Sequence, residues 1–283
     1  EIAQCLVGSE MCIRDSCNII FIKKGKLMKY TQGKYQIAGK RALAKDIFSI
    51  DIKCPEITEI ACPGQFVHIL PPGFTLRRPI SICDIDKKSG TLRIVFITKG
   101  DGTKEIAKLN EGELIDMLAP LGHGFTIDNS FKKIILVGGG IGTPPMLPLA
   151  KIYGERTTVI SGFRSAEAVI LQRDFNAAGA ETILCTDDGS TGRKCLVTEP
   201  LAELLKEGNA DAIYACGPAP MLKRISEIAE NSGVFCEVSL EERMGCGIGA
   251  CLVCACKTRK DGEEHFAHVC KNGPVFNSKE VIW

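Results

Sequence analysis

The stretch Ile134-Ile135-Leu136-Val137-Gly138-Gly139-Gly140-Ile141-Gly142-Thr143-Pro144-Pro145 decides the fold. An apolar run of strand length breaks at glycines, and prolines follow where the first turn of a helix accepts them. The reading is strand, tight turn, helix. Downstream the alternation repeats as strand 157–162, helix 166–176, strand 182–186, helix 197–206, strand 212–216 and helix 219–231, with 235–239 as a final strand. Such alternation folds as a doubly wound parallel α/β sheet with helices on both faces. Upstream the period changes. Short β-type runs at 47–52, 65–70, 79–83, 92–98 and 113–118, broken by Pro and Gly, predict a small antiparallel β-barrel with one helix at 103–109. The expected organisation is a barrel over 28–130, an α/β nucleotide-binding domain over 131–235 and a cysteine-rich segment over 236–283.

Composition narrows the function. Lys+Arg is 35 against Asp+Glu 34, and the net charge of +1 without a basic stripe excludes nucleic acid as the main partner. Hydrophobic residues at 45% with 24% charged exclude a disordered chain. The longest strongly apolar run is the one quoted, too short to span a bilayer, so no membrane partner is expected. Residues 1–27 do not match the remainder of the chain. Glu1–Ser16 has neither a positive n-region nor an apolar h-region, and Cys5 to Ser16 resembles translated sequencing-adapter sequence. The expectation is an artefactual or disordered extension without function, with Met28 as the start; a genuine short tail is the alternative.

The 15 cysteines are odd in number and four of them crowd into residues 246–256, the mark of a reduced, cytoplasmic chain with one metal or cluster site. Cys54, Cys62, Cys83, Cys185, Cys195 and Cys236 are expected as small buried hydrophobes. Cys246-x4-Cys251-x2-Cys254, followed after fifteen residues by Cys270, is the plant-type spacing for a [2Fe-2S] cluster. Three thiolates must converge from one tight loop, and Met244-Gly245-Cys246-Gly247-Ile248-Gly249-Ala250-Cys251 has glycine or alanine at four of its six non-cysteine positions. Small residues let backbone N–H groups reach the sulfurs. The fourth ligand is expected on a returning strand, 266–270. Zinc ribbons want two Cys-x2-Cys pairs and only Cys251/Cys254 fits. Cys256 is expected as a bystander.

Two further motifs suit phosphates. The turn Gly138, Gly139, Gly140, Gly142, Thr143 could seat a pyrophosphate on backbone N–H groups. It is not a full G-x-G-x-x-G, because Thr143 takes the third glycine's place, and Gly162-Phe163-Arg164-Ser165 stands where an acidic residue would end the second strand. A tight structural turn accounts for the same residues. Cys216-Gly217-Pro218 makes a second turn at the same carboxyl edge, where ligands of such sheets bind. In the barrel, Arg78-Pro79-Ile80-Ser81 places a guanidinium beside a rigid proline, a form suited to a pyrophosphate, though a surface arginine reads the same way. Gly100-Asp101-Gly102-Thr103 offers a second anion cradle.

In this order the motifs resemble the ferredoxin-NADP reductase superfamily, and within it the electron transfer subunits of class 1B dihydroorotate dehydrogenase. The resemblance runs from about residue 28 to 283 and includes Pro63-Gly64-Gln65-Phe66, Thr186-Asp187-Asp188-Gly189-Ser190, Ser239 to Met244 and Cys270 to Phe276. It implies FAD lined by Arg78, Pro79, Ile80, Ser81, Val95, Phe96 and Ile97, with Gly102 and Thr103 at the phosphates. It implies NAD(H) at Gly138–Thr143 and Cys216–Pro218. Two departures stand out: relatives often carry an aromatic where Ile80 stands and an arginine where Ile97 stands.

The resemblance implies an NAD-linked oxidoreductase subunit. A nicotinamide gives two electrons as hydride, a cluster accepts one at a time, and a flavin between them does both. The implied partner is the FMN-containing dihydroorotate dehydrogenase catalytic subunit, in a heterotetramer of two plus two, serving pyrimidine (UMP) biosynthesis. No catalytic acid or base is expected in this chain. Reductase subunits of sulfite reductase, hydrogenase or ferredoxin-NADP reductase type are the alternative. Relatives of transhydrogenase type place aspartate at the first cluster ligand, and Cys246 speaks against them. Arg164 could meet a 2′-phosphate, while the resemblance favours NADH.

Overall fold

The computed structural model describes residues 11–15, 18–23, 26–208 and 210–283, with side chains from Tyr30 onward. The expectation for residues 1–27 lies in part outside these. Its described stretches, β1 (Met11–Asp15) and β2 (Asn18–Lys23), pair antiparallel with each other, and β2 pairs with the start of β3 (Lys26–Ala44).

The barrel uses β3, β4 (Ile47–Lys53), β5 (Phe66–Leu70), β6 (Arg78–Asp86), β7 (Thr91–Ile97) and β8 (Leu114–Leu121). Antiparallel pairing runs β3-β4-β7-β6-β5-β8, and a further β3–β8 ladder closes the circle of six. Irregular steps in the β3–β4 register at Ile37/Gly39 and Ala42/Ala44 let that long strand bend as it closes. Inward residues such as Ile50, Ile69, Ile82, Leu92 and Ile94 fill the interior. The helices are α1 (Pro55–Thr58), a single turn between β4 and β5, and α2 (Asp101–Lys108), near the expected helix.

The second unit is a sheet ordered β11 (Glu181–Thr186), β10 (Thr157–Phe163), β9 (Ile134–Gly139), β12 (Ala212–Cys216), β13 (Phe235–Ser239), all parallel, then antiparallel β16 (Val275–Asn277). Its helices are α3 (Leu147–Tyr153), α4 (Gln172–Ala177), α5 (Thr198–Lys206) and α6 (Ala219–Asn231). The expected helix 166–176 is a correction. A single 3-10 turn, Ala166–Ala168, is followed by extended chain, and α4 starts only after Leu171, whose φ of 65° breaks the helix. Burial of Ile170 and Leu171 in the core against α3 outweighs local helical preference.

The third element is the hairpin β14 (Ala255–Lys260) and β15 (Glu263–His268) with the loop before it. It packs on the barrel, where Cys254, Val269 and Cys270 share one apolar cluster with Tyr30, Phe66, Leu118 and Leu121. Of the scattered cysteines, Cys54, Cys83, Cys185 and Cys236 are buried as expected. Cys62 is exposed on the turn before β5 and Cys195 is half-buried. No helix among the described residues is long and apolar enough to cross a membrane.

Candidate functional site

β6 opens at Arg78, and its ladder sets Pro79 opposite His68, Ile80 opposite Val67 and Ser81 opposite Phe66. The Arg78 guanidinium donates from Nη1 to the Leu76 carbonyl at 2.7 Å and stands 5.4 Å from the Phe74 ring centroid. A Cβ at Gly102 would lie 2.6 Å from Arg78 Nε, so the guanidinium rests directly against that glycine in the first turn of α2. Arg78 has no carboxylate partner among the described residues. Its neighbour Arg77 is committed to the barrel, 2.7 Å from Asp116 and donating to the His68 carbonyl at 3.1 Å. Thr103 is committed too: its hydroxyl donates to the Gly100 carbonyl at 2.8 Å and accepts from the N–H of Lys99 and Gly100. Its backbone N–H is the group it can offer a phosphate. Val95 and Phe96 are buried, Ile97 is exposed, and Ile80 points into the barrel core.

The edge expected to take a nucleotide is built by close backbone approach. Cys216 lies in register with Gly138. A Cβ at Gly142 would meet the Cys216 carbonyl oxygen at 2.4 Å, and one at Gly139 would meet Met221 Sδ at 2.6 Å. Gly138–Thr143 and Cys216–Pro218 therefore pack together as one surface. Thr143, in the third glycine's place, is buried with its hydroxyl unpartnered. The expected helix from 144 is corrected: Pro144–Met146 forms a 3-10 turn before α3, and its two prolines have no N–H to offer. Donors at this turn come from the glycine stretch itself, where Gly140 has a φ of 54° and open space beside it. The turn packs against β6 and β7, bringing the nucleotide edge to the barrel motif. Lys151–Asp84 at 2.5 Å and Arg93–Asp174 at 2.6 Å tie the two units together.

The four cysteines expected as ligands come together as two pairs. Cys246 and Cys251 hold their sulfurs 3.3 Å apart, as do Cys254 and Cys270. The N–H groups of Ile248, Ala250 and Cys251 point at Cys246 Sγ at 3.5, 3.3 and 3.4 Å, and Gly249 N–H points at Cys270 Sγ at 3.1 Å. Burial pushes the Cys246 thiol up, but these donors outweigh it and hold it at about 7, so a thiolate forms readily. No three potential ligands among the described residues gather round a single metal position. Two pairs instead suit two irons, one pair to each, so the donor set fits a [2Fe-2S] cluster better than zinc. The returning strand is a correction: β15 ends at His268, and Cys270 sits in a turn in which the N–H groups of Lys271 and Asn272 donate to the His268 carbonyl at 3.0 and 2.8 Å. Cys256 lies on β14 opposite Ala267, outside both pairs, and burial pushes its thiol up to about 11.

Sequence reasoning missed His68. It is 0% exposed, and neither ring nitrogen has a partner in hydrogen-bonding geometry. Burial, then the Arg77 charge, hold its pKa down to about 4, against the opposing pull of the Arg77 and Cys246 backbones. A Cβ at Gly247 would lie 2.4 Å from its Nδ1. The ring therefore fills the space between the barrel strand facing Pro79 and the cluster loop. The only sequence signal was a lone histidine among apolar residues in 65–70.

A closed barrel bearing an anion-ready arginine, a glycine-edged parallel sheet and four thiols paired between a loop and a turn define an oxidoreductase of the ferredoxin reductase fold with an iron–sulfur segment. Residues 241–282 match the family described as the iron-sulfur cluster binding domain of dihydroorotate dehydrogenase B. The electron transfer subunit of dihydroorotate dehydrogenase B (NAD(+)) from Caldanaerobacter subterraneus is 38% identical, covering 88% of this chain and 98% of that protein. The Enterococcus faecalis subunit of the same description is 40% identical, covering 90% and 100%. Among solved structures, an NADH-dependent reduced ferredoxin-NADP oxidoreductase superposes with a TM-score of 0.79 at 32% identity, over 88% of this chain and 90% of that one. The chain belongs to the family of dihydroorotate dehydrogenase B (NAD(+)) electron transfer subunits.

Proposed function

We propose that this chain carries electrons between NAD(H) and the FMN-containing catalytic subunit of dihydroorotate dehydrogenase, with FAD on the barrel and a [2Fe-2S] cluster on the thiol loop, in pyrimidine biosynthesis. The observation that carries this reading is the two-pair arrangement of Cys246/Cys251 and Cys254/Cys270, formed by the 246–254 loop, which touches His68 of β5 at Gly247, and the turn that carries Cys270. Bound FAD supplies the exchange between paired and single electrons, and the bound cluster supplies single-electron transfer.

The residues then have separable tasks. Arg78, held across Gly102, offers a fixed positive charge to a pyrophosphate, and α2 adds backbone N–H groups beside it. Gly138–Thr143 and Cys216–Pro218 offer a glycine-rich edge to NAD(H), facing β6 and β7. The N–H groups around Cys246 and Cys270 stabilise the thiolate charge and so tune the potential of what they hold. No side chain at the site is required to move a proton. Leu252 and Val253, between two ligand cysteines, are 77% and 57% exposed. An apolar pair so placed fits the surface where the catalytic subunit docks and electrons cross. The twelve cysteines from Cys54 to Cys270 are all free, in keeping with a cytoplasmic setting. A two-plus-two heterotetramer is the expected assembly.

The test is reconstitution with an FMN-containing catalytic subunit. Dihydroorotate-dependent reduction of NAD⁺ should require this chain, and Leu252→Glu should weaken the complex while leaving FAD and iron content intact. Failure of the pair to associate, or NAD⁺ reduction by the catalytic subunit alone, would overturn the assignment.

A further inference from the structure

Away from the electron path, Cys185 and Cys195 hold their sulfurs 3.3 Å apart. Cys185 is a buried residue of β11, while Cys195 is half-buried beside an open depression lined by Asp187, Lys194, Leu196 and Glu199. The backbone fixes this approach. Arg193 N–H donates to the Leu184 carbonyl at 2.8 Å, and Thr186 N–H donates to the Arg193 carbonyl at 2.9 Å. Thr186 Oγ1 donates to the Thr191 carbonyl at 2.6 Å, and Cys185 faces Arg193 across an isolated bridge. Residues 187–194 thus form a loop whose two ends are bonded in register, with one thiol on each side of its base.

That loop is seated on the end of β10. Asp187 and Asp188 N–H donate to the carbonyls of Phe163 and Arg164 at 3.0 and 3.3 Å, and Ser190 Oγ accepts from Ala166 N–H at 2.8 Å. A disulfide sulfur pair sits about 2.05 Å apart, so closing the bond asks for a shift of little more than an ångström. Solvent reaches Cys195, whereas burial raises the Cys185 thiol. The two sulfurs therefore have different tasks, one attacking and one resolving.

We propose that Cys185 and Cys195 are a dithiol–disulfide couple, a modification site at which a small disulfide oxidant tethers loop 187–194 to β11. The Cys195 thiolate attacks one sulfur of the small disulfide; a mixed disulfide forms, and the leaving thiolate takes up the proton Cys195 gave. The Cys185 sulfur then attacks Cys195 Sγ, and its proton leaves with the second small thiol. Two protein thiols lose two electrons and two hydrogens, and the small disulfide becomes two thiols. The tether lies at the carboxyl edge of the sheet to which the proposed function assigns NAD(H), but the bond itself does not depend on that assignment.

The test uses the holoprotein in anaerobic buffers of graded oxidised and reduced glutathione, with peptide mapping by mass spectrometry. The expected product is a peptide pair joined through Cys185 and Cys195, lighter by two hydrogens. Amide exchange across 189–194 should slow by about tenfold, as a closed loop opens less often. Dithiothreitol should reverse both, and Cys195→Ser should show neither while keeping its flavin and iron. Exposed Cys62 is the internal standard, since it should take glutathione without forming a link. A stable glutathione adduct on Cys195, or an unmodified Cys185, at a ratio where Cys62 is fully modified would overturn the proposal. The wild-type map alone decides this if the variant does not fold.

Discussion

Gly247→Ala should detach the cluster loop from the barrel, and the size of the effect comes from two features of that position. Gly247 has a φ of 73°, where a residue with a Cβ loses about 1–2 kcal/mol. The added carbon would lie 2.4 Å from Nδ1 and 3.1 Å from Cε1 of a histidine with no solvent to move into. Overpacking of that kind costs about 1–3 kcal/mol. Together they predict a penalty of about 2–5 kcal/mol, or on the order of 30- to 5,000-fold in the docked loop population. The assay is cluster loss to an iron chelator followed by visible absorbance, with FAD content as the control that the barrel survives. His68→Ala removes the obstruction but not the backbone strain. Measured in that background, the effect of Gly247→Ala should therefore shrink to about 1–2 kcal/mol. An equal penalty in both backgrounds would refute the claim that His68 and Gly247 share the space between β5 and the cysteine-rich loop.

Arg78→Ala should weaken FAD retention on dialysis by about 2–3 kcal/mol with iron content unchanged, because it removes the charge-assisted contact proposed for the pyrophosphate; full FAD occupancy would make Arg78 a surface residue. Cys254→Ser should lose the cluster or shift its potential while NADH still reduces the flavin in stopped flow, and Cys256→Ser should be near neutral; the reverse pattern would overturn the ligand set. Glu237 accepts from Thr126 N–H at 2.8 Å and Thr126 Oγ1 at 2.7 Å, yet burial raises its pKa above the ordinary 4.5. The folded chain then holds that proton more tightly than the unfolded one, so wild-type stability declines as pH rises from 4.5 through the raised value. Glu237→Gln should lack that decline, and urea titrations in which the variant loses ground to wild type on going to neutral pH would contradict it.

The gathering of four thiols was legible because spacing carries it: Cys246, Cys251 and Cys254 lie within one loop, so local sequence holds most of the candidate site. The parallel sheet was legible from the switch of period at Ile134, and strand 212–216 and helix 219–231 match the observed bounds. The rest lies in contacts that sequence distance hides. Arg78 against Gly102, and His68 against Gly247, are meetings of strand and loop that no periodicity records. The break at Leu171 was invisible for the opposite reason: 166–176 is locally compatible with helix, and tertiary burial of Ile170 and Leu171 decided otherwise. Cys270 was expected on a returning strand, 266–270, but the turn closed on the His268 carbonyl is what aims its sulfur at Cys254.

β16 comes after the cluster ligands in the chain, yet it is the outermost strand of the nucleotide sheet, paired with β13 through Glu237, Val238 and Ser239. The iron–sulfur segment is therefore no detachable module. Truncation ahead of Gly273 would bare the backbone donors and acceptors of β13 as an open edge, a template for joining other chains. It would also strip the Gly273 carbonyl that accepts the His123 N–H at 2.6 Å and the Pro274 carbonyl that accepts the Leu240 N–H at 2.8 Å. An engineer who wished to graft this cluster elsewhere, or to prepare a flavin-only reductase by shortening the chain, would need to supply a replacement strand. Substituting the ligand cysteines while leaving 273–277 in place is the cut that the architecture permits.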